Sequence, residues 1–438
     1  MSSTGRRVVI TGIGMISPLG CSKEDAWEMI AAKRSGVGPL DPALAKCLPM
    51  SCAAAARQFQ GTIEDFGPLQ KDQKKAIRKG LKVMCRECQM GVAVAQRALA
   101  DAGLAPGDFD PERTGINFGT DYMLSVAEEF TEGILECLDE DGQFDFALWP
   151  IQGMPKMSPL WLLKYLPNMP ASHIAIYNDL HGPNNSITLR EAAANLSVGE
   201  AFRVILRDRA DIMLAGATGS RLHLMKMIHA VQQEELATEQ GDPARASRPF
   251  DRDRTGMVLG EGAGAVVLEE LSSAKARDAN IYGEVVSSAS SSALQPGLAA
   301  QRDLAMKNVL VTALANGDTS PDDIGHLHAH GLSTRTSDVE EAWAINEVFG
   351  HRAKPVPVTA AKSYFGNLGA GSGVVELATS LMAFGHDRLF PILNYETPDP
   401  DCPISAVADG WSDPGTSFIN LSVTPQAQAS AVLVRRFQ

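Results

Sequence analysis

Ser197-Val198-Gly199-Glu200-Ala201-Phe202-Arg203-Val204-Ile205-Leu206-Arg207-Asp208-Arg209 runs straight into Ala210-Asp211-Ile212-Met213-Leu214-Ala215-Gly216. The first stretch reads as a helix, and the second is a short apolar run of the kind found in strands buried on both faces. The same alternation continues in both directions. Upstream, Arg7 to Ile13 is a β-branched run and Gly115 to Thr120 a buried strand. Between them, Gln89 to Ala102 lines Val92, Ala93, Ala95, Leu99 and Ala100 along one helical face, closed by Gly103. Downstream, Gly260 to Glu269 carries small residues that let a strand and a helix approach closely. A second cycle starts near Ile281, with Glu284-Val285-Val286 as a strand and Gln301 to Asn316 as a helix closed by Gly317. His326 to His330 and Val356 to Thr359 follow as strands, Asp338 to Phe349 and Gly373 to Phe384 as helices. Ser417 to Val423 against Ser430 to Arg435 makes a closing hairpin. Strands alternating with helices specify an α/β protein, and two cycles predict two similar halves, residues 1–270 and 271–438.

Local signals within that frame have bland readings. Gly12-Ile13-Gly14 reads as a tight turn closing the first strand. It lacks the third glycine and the acidic residue of a dinucleotide fingerprint. Residues 121–170, richer in Met, Pro and acidic side chains, predict an elaborate loop and helix region. Of seven cysteines, Cys85 and Cys88 form a CxxC without a second pair nearby, which reads as two helix positions three apart rather than a redox or zinc site. His326, His328 and His330 alternate along one strand, but three imidazoles without a fourth partner do not make a metal centre; neither metal nor cofactor is expected.

Composition narrows the function. The chain has 438 residues, 45% hydrophobic and 21% charged, an ordinary globular balance. Its net charge of -13 opposes nucleic-acid binding, and no apolar run approaches the ~20 residues of a membrane-spanning helix. The start, Met1 to Gly12, has no secretory signal pattern, so a cytoplasmic location is expected.

Several stretches, in order and spacing, resemble the β-ketoacyl synthase family of thiolase-like condensing enzymes over nearly the whole chain. They are Arg7-Val8-Val9-Ile10-Thr11-Gly12, Leu166-Pro167-Asn168-Met169, Ser247 through Asp253, Gly260 through Gly264, Ala329-His330-Gly331 and Lys362-Ser363-Tyr364-Phe365-Gly366. The resemblance implies two pseudo-symmetric ketosynthase-like halves in a five-layered α-β-α-β-α sandwich. It also implies dimers that condense an acyl group with a malonyl unit carried on acyl carrier protein.

That chemistry needs a nucleophilic Cys, two His and a Lys. The family's nucleophile follows a Gly-Pro-x-x-Ser-Ile run, here Gly182 to Ile187, and precedes an Ala-Asp strand, here Ala210-Asp211. No gap is needed between these anchors, and the nucleophile position is Glu191; no cysteine lies between Cys137 and Cys402 to replace it. His330 keeps the first His and Lys362 the Lys, while Asn367 stands in the place of the second His. Asp338 and Glu376 match the family's supporting polar positions. The gate and oxyanion loop is replaced as well: Thr424 takes the gate position, and Pro425 has no N–H to offer an oxyanion.

Condensation is therefore expected to be lost. The leading expectation is a pseudoenzyme resembling chain-length factors, which partners an active ketosynthase homologue as a heterodimer, or itself as a homodimer, in type II fatty-acid or polyketide synthesis. Decarboxylation of malonyl-carrier protein or other thioester processing is the alternative, and an acyl-binding or scaffold protein a third. In the remodelled pocket Glu191 is expected to be ionised and bonded to His330 or Lys362, because a buried carboxylate without a cation costs several kcal/mol. Arg190 shares that role or faces a dimer partner.

Overall fold

The computed structural model describes residues 5–238 and 241–437. In the first half, strands β1 (Val8–Ile16), β2 (Thr114–Thr120), β3 (Asn184–Thr188), β4 (Ile212–Ser220) and β5 (Glu261–Glu270) pair in the order β3-β2-β4-β5-β1. In the second, β6 (Gly283–Ser292), β7 (His326–His328), β8 (Pro357–Thr359), β9 (Ser417–Val423) and β10 (Gln428–Arg435) pair as β8-β7-β9-β10-β6. Both runs have the same sense, two parallel pairings and then two antiparallel ones, and the two-residue strand Ser405–Ala406 adds one further parallel pairing outside β8. They join where Val8, Val9 and Ile10 of β1 lie antiparallel to Val285, Glu284 and Gly283 of β6.

The helices of ten or more residues are α1 (Lys71–Gly80), α2 (Arg86–Asp101), α3 (Met169–Asn178), α4 (Ala193–Leu206), α5 (Leu224–Gln233), α6 (Arg302–Asn316), α7 (Arg335–Phe349) and α8 (Ser372–Gly385). Helices α4 and α8 pack against each other between the two sheets. Helix α2 covers the outside of the first sheet, and α6 with α7 the outside of the second. This is a five-layered α-β-α-β-α sandwich. Its layering explains the apolar runs: every residue of β1, β2, β4 and β5 is buried, because helices cover both faces. Helix α8, in the middle layer, is buried from Ser372 to Phe384 and so is apolar nearly all round. Among the described residues no helix is long and apolar enough to cross a membrane.

The first strand corrects one expectation. It does not end at Gly12-Ile13-Gly14 but runs on to Ile16, and the reversal falls at Ser17–Gly20. The glycines are there for packing. A Cβ on Gly12 would sit 2.3 Å from the Ala98 carbonyl oxygen, and one on Gly14 would sit 2.0 Å from that of Val94, both on α2. The strand and helix thus approach to backbone contact, which a side chain would block. Two other segments differ in detail. Strand β7 stops at His328, leaving His330 in the following loop, and Cys85 is the N-cap of α2 rather than inside it, with its free thiol sulfur 3.6 Å from that of Cys88.

Candidate active site

The residues singled out in the sequence gather beyond the C-terminal ends of the parallel strands, the usual place for a site on such sheets. Glu191 lies on the short turn linking β3 to α4, where Arg190 adopts a left-handed φ of 47°. His330 is two residues past β7, and Lys362 opens the helical turn Lys362–Phe365 after β8. Asn367 follows Gly366, Glu376 projects from α8, and Thr424 and Pro425 form the turn between β9 and β10. A cavity of about 270 Å³ opens beside Glu191, His330, Thr424 and Pro425, with Gln233, Glu234 and Arg302 also in its wall and no cysteine; Lys362, Asn367 and Glu376 do not line it.

Glu191 is 1% exposed. Its Oε1 accepts hydrogen bonds from Arg221 Nη1 and from Asn367 Nδ2, the latter at 3.1 Å, and its Oε2 lies 3.3 Å from Arg190 Nε. Both guanidiniums also reach Glu234 Oε1, Arg190 through Nη2 at 2.8 Å and Arg221 through Nη2. Two carboxylates and two guanidiniums thus alternate around a closed ring. Burial pushes the Glu191 carboxyl up, but the Arg190 and Arg221 charges outweigh it and hold the group well below the usual carboxylate range. Glu191 is thus neutralised within the pocket, but not by the cation expected from the sequence. Arg221 and Arg190 neutralise Glu191; neither His330 nor Lys362 is hydrogen-bonded to it.

Lys362 is committed elsewhere. Its ammonium pairs with Glu376 and donates to the His330 carbonyl at 2.7 Å and to His330 Nδ1 at 3.2 Å. An ammonium only donates, so Nδ1 is an acceptor and the ring proton sits on Nε2. Burial, reinforced by the Lys362 charge, pushes the His330 pKa well below its ordinary value, so the imidazole is neutral. Burial raises the Glu376 carboxyl while Lys362 opposes the rise.

Asp338 stands apart from the reacting positions. Its carboxylate accepts the backbone N–H groups of Phe250 (2.8 Å), Leu332 (3.0 Å) and Ser333 (3.1 Å), tying the loop after β7 to the Phe250 segment. Burial lifts its pKa to about 6 against the pull of Arg254. Glu341, which the sequence did not single out, accepts the N–H of His330 at 2.6 Å and of Gly331 at 2.8 Å, and so orients the histidine's backbone.

At the other wall, Thr424 closes the hairpin, its N–H donating to the Gln428 carbonyl at 2.9 Å and its hydroxyl lying 3.1 Å from Gln428 Oε1. The Pro425 carbonyl accepts from Arg302 at 3.4 Å. His326 and His328 are taken up by packing contacts. His326 Nδ1 donates to the Pro414 carbonyl at 2.7 Å, leaving Nε2 to accept from Ser380 Oγ at 3.1 Å. The same oxygen then accepts from His328 Nδ1 at 2.8 Å, and His328 Nε2 accepts the Ala361 N–H at 3.2 Å. Among the described residues no cluster of His, Cys, Asp and Glu could hold a metal ion.

Chemically, the site offers a neutral histidine N–H donor and an amide beside a carboxylate fixed in an ion-pair ring, and no thiol. Comparison with known proteins gives it a context. Residues 5–274 match the model of the β-ketoacyl synthase N-terminal domain, and residues 282–396 that of the C-terminal domain. The chain is 32% identical over 411 residues to 3-oxoacyl-[acyl-carrier-protein] synthase 2 of Synechocystis, covering 92% of this chain and 91% of that one. To the Coxiella burnetii protein of the same name it is also 32% identical, with the same coverage. Among solved structures, the ishigamide ketosynthase/chain length factor superposes with a TM-score of 0.82 at 25% identity, covering 99% of this chain and 100% of that one. A type II polyketide acyl-carrier protein in complex with its ketosynthase, bound to the hexaketide, gives a TM-score of 0.80 at 25% identity, again over 99% and 100%.

Proposed function

We propose, from the premise that the chain belongs to the β-ketoacyl synthase family, that it is a non-condensing subunit which partners an active ketosynthase and its acyl carrier protein in fatty-acid or polyketide synthesis. One observation carries this reading. Glu191, to which the flanking sequence motifs assign the position of the family's nucleophilic cysteine, is a carboxylate consumed by Arg221 and Arg190. A carboxylate so held cannot serve as the acyl-accepting thiolate, whose nucleophilicity the reaction requires. Asn367 in place of the second histidine and Pro425 in the oxyanion loop support the same reading, since neither supplies what those positions give a condensing enzyme. The likeness to a ketosynthase/chain length factor structure supports a paired assembly.

Decarboxylation of a malonyl group is disfavoured on charge. The substrate carboxylate would enter beside the ionised Glu191, and the two nearest guanidiniums are already spent on Glu191 and Glu234. The test is co-expression with a ketosynthase encoded beside this chain. Co-purification as a 1:1 heterodimer is the expected result, and a stable homodimer that ignores every such partner overturns it. Incubation with malonyl-carrier protein should release no acetyl product above the Glu191→Ala background.

A further inference from the structure

The CxxC that reads in the sequence as two positions within a helix is built differently. Cys85 is the N-cap of α2, with an extended backbone (φ -70°, ψ 172°), and Cys88 is the third residue of the helix. Inside a helix, residues three apart hold their Cβ atoms about 5–6 Å from each other, too far for a disulfide, which takes about 3.5–4.5 Å. An extended N-cap instead folds its side chain back over the first turn, as capping residues do. The two sulfurs meet at 3.6 Å, the Cys85 thiol donating to Cys88 Sγ, and the Cys88 thiol donates to the Lys164 carbonyl at 3.7 Å.

The turn that carries them is anchored through both intervening residues. Arg86 pairs with Glu261 at 2.7 Å and donates to the Ala56 and Phe59 carbonyls, while Glu87 pairs with Lys226 at 3.1 Å. The two thiols differ in access. Cys88 has no exposure, whereas Cys85 is partly exposed, with Met123 Sδ 3.8 Å from its sulfur. Among the described residues no third His, Cys, Asp or Glu joins them to hold a metal ion, which leaves the chemistry of a dithiol. Cys85 is protonated at rest: its bond to Cys88, followed by burial, holds the thiol well above its ordinary value. Such a pair suits slow oxidation under a sustained oxidant, not rapid nucleophilic catalysis.

We propose that Cys85 and Cys88 are a redox-modification site, a dithiol that a peroxide converts to a disulfide and a reducing thiol restores. Cys85, the accessible partner, loses its proton and attacks one peroxide oxygen. The O–O bond breaks, hydroxide leaves and takes that proton as water, and the sulfur becomes a sulfenic acid. Cys88 Sγ then attacks Cys85 Sγ, and its proton passes to the departing hydroxide. Two thiols and one hydrogen peroxide thus give one disulfide and two waters, with two electrons passing from sulfur to oxygen.

The test treats the full chain with hydrogen peroxide, blocks free thiols with N-ethylmaleimide in denaturant and cuts with trypsin. Cleavage after Arg86 parts the two cysteines, so a disulfide appears as peptides 83–86 and 87–97 held together. Linked peptides that separate on adding dithiothreitol are expected. Cys88→Ser should stop at a Cys85 sulfenic acid that dimedone traps, and Cys85→Ser should leave Cys88 reduced. Thermal midpoints verify that both variants fold, and the unaltered chain decides the question by itself should either fail. Cys47, which is exposed, shows by its own oxidation that the peroxide has acted. Peptides that stay separate and maleimide-labelled while Cys47 is oxidised overturn the proposal. So does linkage that forms only when the chain is unfolded before the peroxide is added.

Discussion

Arg221 divides its guanidinium between Glu191 and Glu234, giving Nη1 to one carboxylate and Nη2 to the other. Its side chain is 6% exposed and those of its partners 2% and 8%, so the arrangement sits almost wholly out of water. In that setting each charge is tolerable only because the others are present. The ring also ties together distant pieces of chain: the turn into α4, the end of β4 and the end of α5. It therefore has a structural role whether or not any substrate enters.

The first prediction follows from that dependence. Arg221→Met strands two buried carboxylates with Arg190 alone and should destabilise the fold by about 3–5 kcal/mol in denaturant titration. Adding Glu191→Gln to the same chain removes one of the stranded charges and should recover part of the loss. The double variant is then less damaged than the sum of the singles, a coupling that a thermodynamic cycle measures. Additive effects would show that the two groups do not interact.

Lys362 behaves differently. It pairs with a different carboxylate, Glu376, which has no exposure. Lys362→Met should cost a similar amount in the same titration, through the unpaired Glu376 carboxylate, while Lys362→Met with Glu376→Met should approach the stability of the unaltered protein. Glu191→Gln should rescue Lys362→Met far less than Glu376→Met does, because Glu191 only repels the Glu376 carboxylate through space. Equal rescue would mean that the two ion-pair systems are one, contrary to the hydrogen bonds.

What could be read in the sequence followed periodicity, and what could not followed long-range pairing. Buried runs such as Ala210–Gly216 announced both the strands and the helices that cover them, because burial on two faces removes the polar alternation. Gly12 and Gly14 misled because a glycine that admits a neighbouring helix looks, in one dimension, like a glycine that admits a turn. Flanking motifs pointed to Glu191, His330, Lys362 and Asn367 as candidate site residues, but nothing pointed to the partner of Glu191. Arg221 is 30 residues away in sequence, and nothing local marks it except that a charged residue ends the apolar strand β4. Charge balance required a cation near Glu191; it could not choose among Arg190, Arg221 and Lys362.

The glycine packing is itself testable. Gly14→Ala places a methyl 2.0 Å from a backbone oxygen of α2, an atom that cannot rotate away. Overpacking of this kind costs about 1–3 kcal/mol or more, and the thermal midpoint should fall accordingly. Gly103→Ala offers a control for glycine loss without contact. Nothing lies within 4 Å of its Cβ, but its φ of +67° strains any side chain, so its smaller cost isolates the backbone effect. Equal costs at the two positions would remove the steric argument.

Acid sensitivity should arise from His326 and His328. Both are held neutral in the fold, burial lowering His326 to about 4 and, with help from His326 and Lys362, His328 well below its ordinary 6.5. Protonating either ring would set an N–H against the Ser380 hydroxyl or the Ala361 N–H, each already donating to it. The sign follows from linkage. Below 6.5 the unfolded chain takes up protons that the folded chain refuses, so stability is full above that pH and drains away as the pH falls towards 4. His326→Gln, which does not titrate, should show a shallower fall of thermal midpoint between pH 7 and pH 5 than the unaltered protein. Parallel slopes would place the acid-sensitive groups elsewhere.

The sharpest prediction concerns Glu191→Cys, which places a thiol where the proposed reading sets the family's nucleophile. Two features oppose any return of condensation. Asn367 cannot act as an imidazole; it carries a neutral amide that donates to the site without a titratable proton. Pro425, in the segment that the proposed reading sets at the oxyanion loop, has no N–H, and loss of one such donor alone costs roughly a hundredfold or more in rate. The new thiol would also sit beside Arg190 and Arg221, which would favour its thiolate, so failure could not be blamed on a protonated sulfur. The variant should accordingly take up an acyl group slowly or not at all by intact-mass measurement and should form no β-ketoacyl product. Its fold should survive better than that of Arg221→Met, because Arg190 and Arg221 both keep Glu234 and Lys362 keeps Glu376. Robust ketosynthase turnover by Glu191→Cys would show that one residue alone separates this chain from a condensing enzyme, and the non-condensing reading would then rest on Glu191 and not on the remodelled pocket around it.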